Sequence, residues 1–219
     1  FIGAMKTHMR SLHMSALQSA MNELSNHDHS RFLTRTNHKV GRISYAGAEA
    51  ASEGVNPAVM REAVAIQMTW PGAPTVYYGD EAGLCGFTDP DNRRTYPWGR
   101  EDYQMIDFHR VMIRIHKNYE VLKTGSLGFL WNDYQGLCYA RFSRKEQMIV
   151  IINNQAESRD VEIQLWQAGI SRLADTKLKR IVVTSAEGFT EEPEEYTATA
   201  GILKITMPAF GAMVLHRKN

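Results

Sequence analysis

Residues 22–35 read NELSNHDHSRFLTR, and inside that stretch Asn26, His27, Asp28 and His29 set two imidazoles around one carboxylate. Residues of these types serve as metal ligands, as hydrogen-bonding groups of a catalytic loop, or as a helix cap. Strand geometry disfavours the metal, because His27 and His29 would share one face and Asp28 would point from the other. His8 and His13 stand five apart, not at the i, i+4 spacing of a helical zinc pair. No metal and no other cofactor is therefore assigned. Asp80 and Glu81 offer a second acidic pair, but adjacent strand residues face opposite ways. Two carboxyl groups attacking one bond as nucleophile and acid must lie ~5 Å apart. A structural role in the loop is the reading for that pair. Asp89 and Arg93 are spaced by four in the same loop, a pattern that fits either ligand contact or a brace within the loop.

The elements that must position these groups differ between the two halves. Apolar residues recur near helical spacing over 5–21, with an irregular step between Leu12 and Met14 that widens the apolar face, and a strand follows at 21–26. A second helix over 59–68 is stopped by Trp70-Pro71-Gly72. Residues 75–78 are β-branched and aromatic between Pro74 and Gly79, which predicts a short buried strand. A third helix spans 103–119. The loop 79–101 is long enough that function is expected of it. From about 124 onward, short strands are expected at 129–131, 137–142, 148–152, 161–165, 181–183, 202–205 and 212–216. Hairpin turns are expected at Asn153-Asn154 and Ala200-Gly201, and the acidic run 191–195 reads as a solvated loop. The pattern is an antiparallel sandwich over 124–219, with strands that pair among themselves, a core that needs nothing upstream, and the protease-resistant part of the chain.

Composition narrows the classes. Lys and Arg (25) nearly balance Asp and Glu (24), so no basic stripe argues for nucleic acid. The longest apolar run, 148–152, is far short of the ~18 residues a membrane span needs. Two distant cysteines, Cys85 and Cys138, read as free thiols of a reducing cytoplasm.

Residues 1–123 pose a counting problem. Two β/α repeats provide two parallel strands, and parallel sheets are covered on both faces. The chain also opens on Phe1 rather than Met, which favours the tail of a larger α/β protein, such as a barrel of eight repeats and ~250 residues.

Three stretches in order, NELSNHDHSRFLTR, AIQMTWPGAPTVYYGDEAGL and TDPDNRRTYPW, resemble the end of the catalytic barrel of the α-amylase family, glycoside hydrolase family 13. The DPDNRR stretch is most similar to the neopullulanase and cyclomaltodextrinase type. GILKITMPAFGAMVL resembles the closing strands of the β-sandwich, domain C, that follows the barrel in those enzymes.

The resemblance implies an α/β plus all-β fold: the last two β/α repeats of a (β/α)8 TIM barrel over 1–123, then domain C over 124–219. It implies a retaining glycosidase acting on maltodextrin, cyclodextrin or pullulan, with an α-glucan oligosaccharide as its partner. Asp28 is then the transition-state stabiliser and His27 a catalytic partner that hydrogen-bonds the same sugar. Asn26, Asp89 and Arg93 are expected substrate contacts. Where this chain has His29-Ser30-Arg31 after Asp28, relatives more often have Thr-Glu-Arg, so contacts behind the aspartate are expected to differ. The nucleophile and proton donor belong to earlier barrel strands, so residues 1–219 alone are expected to be inactive, with exposed barrel edges that favour homo-oligomers. A transglycosylating or isomerising relative, a non-catalytic scaffold, and a carbohydrate-binding sandwich are the competing readings.

Overall fold

A computed structural model describes residues 2–39 and 41–218. Helices α1 (Ile2–Arg10) and α2 (Met14–Ser19) lead into strand β1 (Met21–Glu23), which is followed by the short helices α3 (Phe32–Arg35) and α4 (Ile43–Ala46). Helix α5 (Pro57–Thr69), strand β2 (Ala73–Thr75), helix α6 (Tyr103–Asn118) and helix α7 (Glu120–Thr124) complete the first half. The expected single helix over 5–21 is thus two helices. At the break the Ser11 hydroxyl and backbone N–H both donate to the His8 carbonyl, and Leu12 N–H bonds back to Met9. That local bonding competes with the helical pattern. His13 is extended, and Met14 lies 57% exposed rather than on a continued apolar face.

The other two long helices carry their boundaries in sequence. Asn56 caps α5 by accepting from the N–H groups of Ala58 and Val59, with Pro57 in the first turn. Asp102 caps α6 through Met105 N–H. Helix α6 buries Met105, Phe108, Met112 and Ile115.

Strands β1 and β2 pair in parallel, Met21 with Ala73 through Glu23 with Thr75. Both are shorter than expected: β1 starts at 21 as expected but ends at Glu23, and β2 lies two residues earlier than the 75–78 expected. The Gln67 amide reaches from α5 to the carbonyls of Asn22 and Thr75, fastening the helix to both strands. No third strand joins this pair among the described residues, and Met21 is 63% exposed.

The second half holds β3 (Ser126–Asn132), β4 (Gly136–Phe142), β5 (Glu146–Asn153), β6 (Arg159–Gln164), β7 (Thr176–Thr184), β8 (Phe189–Thr190), β9 (Glu195–Ala198), β10 (Ile202–Met207) and β11 (Gly211–Lys218). An antiparallel sheet runs in the order β3-β4-β5-β11-β7-β8, with β9 also on β7, and β10 pairs with β6 in a second sheet. Ala200 and Gly201 both have positive φ, as the tight turn from β9 to β10 requires. Asn153-Asn154 is not a hairpin turn. The chain there crosses from β5 in the large sheet to β6 in the small one, while the Asn153 amide donates to the carbonyls of Glu157 and Pro208. The acidic loop is exposed, with Arg114 on Glu191 and Arg180 on Glu194.

Successive residues of the central strands are buried on opposite faces. Cys138, Ile149, Ile151, Met213 and Leu215 pack toward β6 and β10. Leu137, Tyr139, Met148, Val150 and Val214 pack against α5, α6 and α7 in a core common to both halves. Arg141, fully buried, donates to the carbonyls of Thr69 and Gly125, and the Tyr139 hydroxyl meets that of Thr69. This corrects the expectation that the sheet needs nothing upstream. Residues 124–219 expressed alone are expected to bind a hydrophobic dye and melt broadly, because one sheet face loses its cover. A sharp cooperative transition matching the intact chain would show that the helical layer is dispensable.

Candidate functional site

Two loops meet beyond the carboxyl ends of the parallel strands. The first leaves β1 and carries Asn26, His27 and Asp28. It is not a strand, so the alternation expected of His27, Asp28 and His29 does not apply. Asn26 makes the turn itself: its Oδ1 accepts from the N–H groups of Asp28 (2.9 Å) and His29 (3.1 Å), and its Nδ2 donates to Glu23 Oε1 at 2.7 Å. Asparagine suits this task because its side chain mimics a backbone turn. The result displays His27 and Asp28 outward, with side chains 61% and 66% exposed and His27 Nε2 3.5 Å from Asp28 Oδ1.

The second loop follows β2 and holds the first in place. Thr88 Oγ1 donates to the Asp28 carbonyl (2.8 Å), and the Asn92 amide donates to the carbonyls of His29 (2.8 Å) and Asn26 (3.2 Å). Arg31 N–H bonds to the Gly86 carbonyl. Gly86 lies so close to the Asp91 backbone that a Cβ there would stand 2.5 Å from its carbonyl oxygen. Asp91 closes the turn by accepting from Phe87 N–H and pairing with Arg94.

Below the loops sits a buried ion pair. Arg31 Nη1 is 2.9 Å from Asp80 Oδ1, with the two side chains 0% and 5% exposed. Arg31 also donates to the carbonyls of Asn92 and Tyr78, and its guanidinium lies over the rings of Tyr77 and Tyr78. Burial pushes the Asp80 carboxyl above its ordinary range, against the pull of Ser25 and Arg31. Asp80 is therefore part of the frame, which supports the structural reading of the Asp80-Glu81 pair.

Asp89 and Arg93 are half-exposed and face each other at 2.5 Å, so the brace within the loop is present and both heads still reach solvent. Tyr78 is tied by its hydroxyl to the Arg94 carbonyl. Trp98 is 78% exposed beside Tyr96. Among the described residues no group of three or more His, Cys, Asp or Glu gathers to hold a metal ion. Both cysteines are free and buried.

The family profile "Alpha amylase, catalytic domain" matches residues 1–170. The chain belongs to the alpha-amylase family. Among alpha-amylase relatives it is 31% identical over 213 residues to an amylopullulanase of Thermoanaerobacterium thermosulfurigenes, covering 92% of this chain and 11% of the relative. It is 31% identical over 204 residues to neopullulanase 2 of Thermoactinomyces vulgaris, covering 91% of this chain and 30% of the relative. The debranching enzyme of Nostoc punctiforme shares the fold at a TM-score of 0.70 and 23% identity, over 97% of this chain and 38% of that one. The chain thus spans a minor part of each.

The displayed residues are legible in the sequence; the groups that position them are not. Arg31, Thr88 and Asn92 act through partners far along the chain. The one local signal was an arginine three residues after the aspartate in a loop that a second acidic loop follows.

Proposed function

We propose that this alpha-amylase-family chain supplies one side of the sugar site of a retaining α-glucan hydrolase acting on maltodextrin, cyclodextrin or pullulan. In this reading residues 1–123 are the last two β/α repeats of a TIM barrel and residues 124–219 are domain C. The nucleophile and general acid lie on barrel strands outside residues 1–219. The observation that carries the reading is the contrast between two neighbouring aspartates. Asp80 is buried and neutralised by Arg31, whereas Asp28 is held by its backbone and keeps its carboxylate exposed at the carboxyl end of a parallel strand, the side on which barrel enzymes build their sites.

Asp28 then hydrogen-bonds hydroxyls of the sugar ring that flattens toward an oxocarbenium ion, contacts that tighten as positive charge develops. His27 binds the same sugar. Asn26 contributes by shaping the turn and through its remaining amide hydrogen, while Asp89 and Arg93 reach the neighbouring sugar from the second loop. The open edges of β1 and β2 are where missing repeats or a second copy would dock.

A direct test is to incubate the purified 219-residue chain with maltodextrin, cyclodextrin and pullulan. No release of reducing sugar above background is expected. Turnover that disappears in Asp28→Ala would show that the chain holds a complete catalytic set.

A further inference from the structure

The second loop is rooted on helix α6. Its first turn, Asp80–Ala82, packs on that helix. Asp102 N–H donates to the Ala82 carbonyl at 3.1 Å, and a Cβ on Gly83 would stand 3.1 Å from the Asp102 Cβ. Two turns along α6 lies His109, only 3% exposed. Its Nδ1 is 2.9 Å from the Met105 carbonyl. A carbonyl only accepts, so Nδ1 carries the ring proton and Nε2 is a bare lone pair. Nε2 is buried and has no hydrogen-bond partner among the described residues.

That setting suits a neutral ring. A proton on Nε2 would create a buried cation with nothing to receive its hydrogen. The charged groups on the elements around α6 are committed elsewhere. On α5, Arg61 donates to the carbonyls of Ser185 and Ala186, and burial pushes the Glu62 carboxyl up to about 9, so it is uncharged at neutral pH. Asp102 accepts from Met105 N–H, Asp80 is paired with Arg31, and Glu187 of the β7–β8 turn accepts from Ser185. Glu101, just before α6, keeps its Oε2 buried. Glu81, on the first turn of the loop, is the carboxylate whose charge acts on the ring, but burial outweighs it and holds the imidazole below the ordinary histidine range. The neutral ring therefore supports folding above ~6.5 and withdraws that support as pH falls toward its lower folded value.

We propose that His109 is an acid-sensitive latch: its neutral ring keeps the root of the second loop closed on α6, and gain of a proton on Nε2 opens that root. Single backbone bonds hold the root, such as Asp102 N–H to Ala82 and Leu84 N–H to Gly79, so it yields before the sheets do. Thr88 and Asn92 of the same loop hold the Asp28 loop, and opening the root loosens that grip. The consequence for a sugar site rests on the function proposed above, whereas the latch itself does not.

The test follows amide exchange of the 219-residue chain by NMR from neutral pH down to ~5, corrected for the intrinsic pH dependence of exchange. Protection of the Asp102 and Leu84 amides is expected to fall about tenfold, the scale of one unit of pKa difference, while the amide of Val150 in β5 keeps its own. His109→Asn retains a side-chain N–H for the Met105 carbonyl and cannot take up a proton, so it should abolish the fall. The proposal is overturned if the two amides keep their protection at acid pH, if they lose it together with Val150, or if His109→Asn loses it equally. The ring C–H signals of His109 in the unchanged chain give a second reading that needs no variant. They should titrate below the ordinary histidine range together with the Leu84 amide, and a ring that titrates at or above that range overturns the latch.

Discussion

Arg31→Met is expected to lower the unfolding free energy by roughly 3–5 kcal/mol at neutral pH, the cost of stranding a buried charge. The substitution keeps most of the side-chain length but removes the pair to Asp80 and the bonds to the carbonyls of Tyr78 and Asn92. Asp80, 5% exposed, then keeps only its hydrogen bond to Ser25 and the weaker pull of the nearby Arg35 charge. Because burial already sets the folded pKa of Asp80 above its unfolded value, this group favours folding below the ordinary carboxylate range near ~4 and loses that contribution as pH rises through the folded value. Removing Arg31 raises the folded value further. The deficit of the variant should therefore be smallest at acid pH and grow toward neutrality. Urea denaturation of both chains across that range checks this, with the midpoint falling and the slope unchanged. The double change Arg31→Met with Asp80→Leu should recover much of the loss, because it leaves no buried charge behind. A single variant as stable as the parent at pH 7 would mean that the pair does not hold the loops.

Much of the frame was legible because its signals are local. The apolar patterns place α5 and α6, although the α5 start expected at 59 passes over the Asn56-Pro57 cap two residues earlier, and Ala200-Gly201 announces a tight turn. The apolar run over 148–152 is the strand expected there, and its residues alternate between two cores. What stayed hidden depends on distance or on small competitions. The break at Ser11 turns on one hydroxyl bonding back to His8. Asn153-Asn154 carries hairpin chemistry, yet β6 finds its partner in β10, not β5. The core shared by the halves follows from which face of the sheet the helices cover, and strand periodicity specifies both faces equally. At the site, Asn26, His27 and Asp28 were visible as types in sequence. Arg31 was not, because its partners lie 47 to 61 positions away.

Asp28 carries the proposed chemistry and bears little of the fold: its side chain is 66% exposed, and its only ion-pair neighbour among the described residues is His27 at 3.5 Å. Asp28→Ala should therefore leave the thermal midpoint of the 219-residue chain essentially unchanged. In a full-length enzyme that also carries the nucleophile and general acid, the same change removes contacts made most strongly in the transition state. A loss of several kcal/mol there corresponds to a kcat lower by about a thousandfold, with a much smaller change in KM. Steady-state kinetics of that variant on maltodextrin is the most direct measurement. A large fall in kcat with KM and melting temperature nearly intact is the predicted result. A KM effect alone, with kcat retained, would reduce Asp28 to a binding residue and contradict the mechanism.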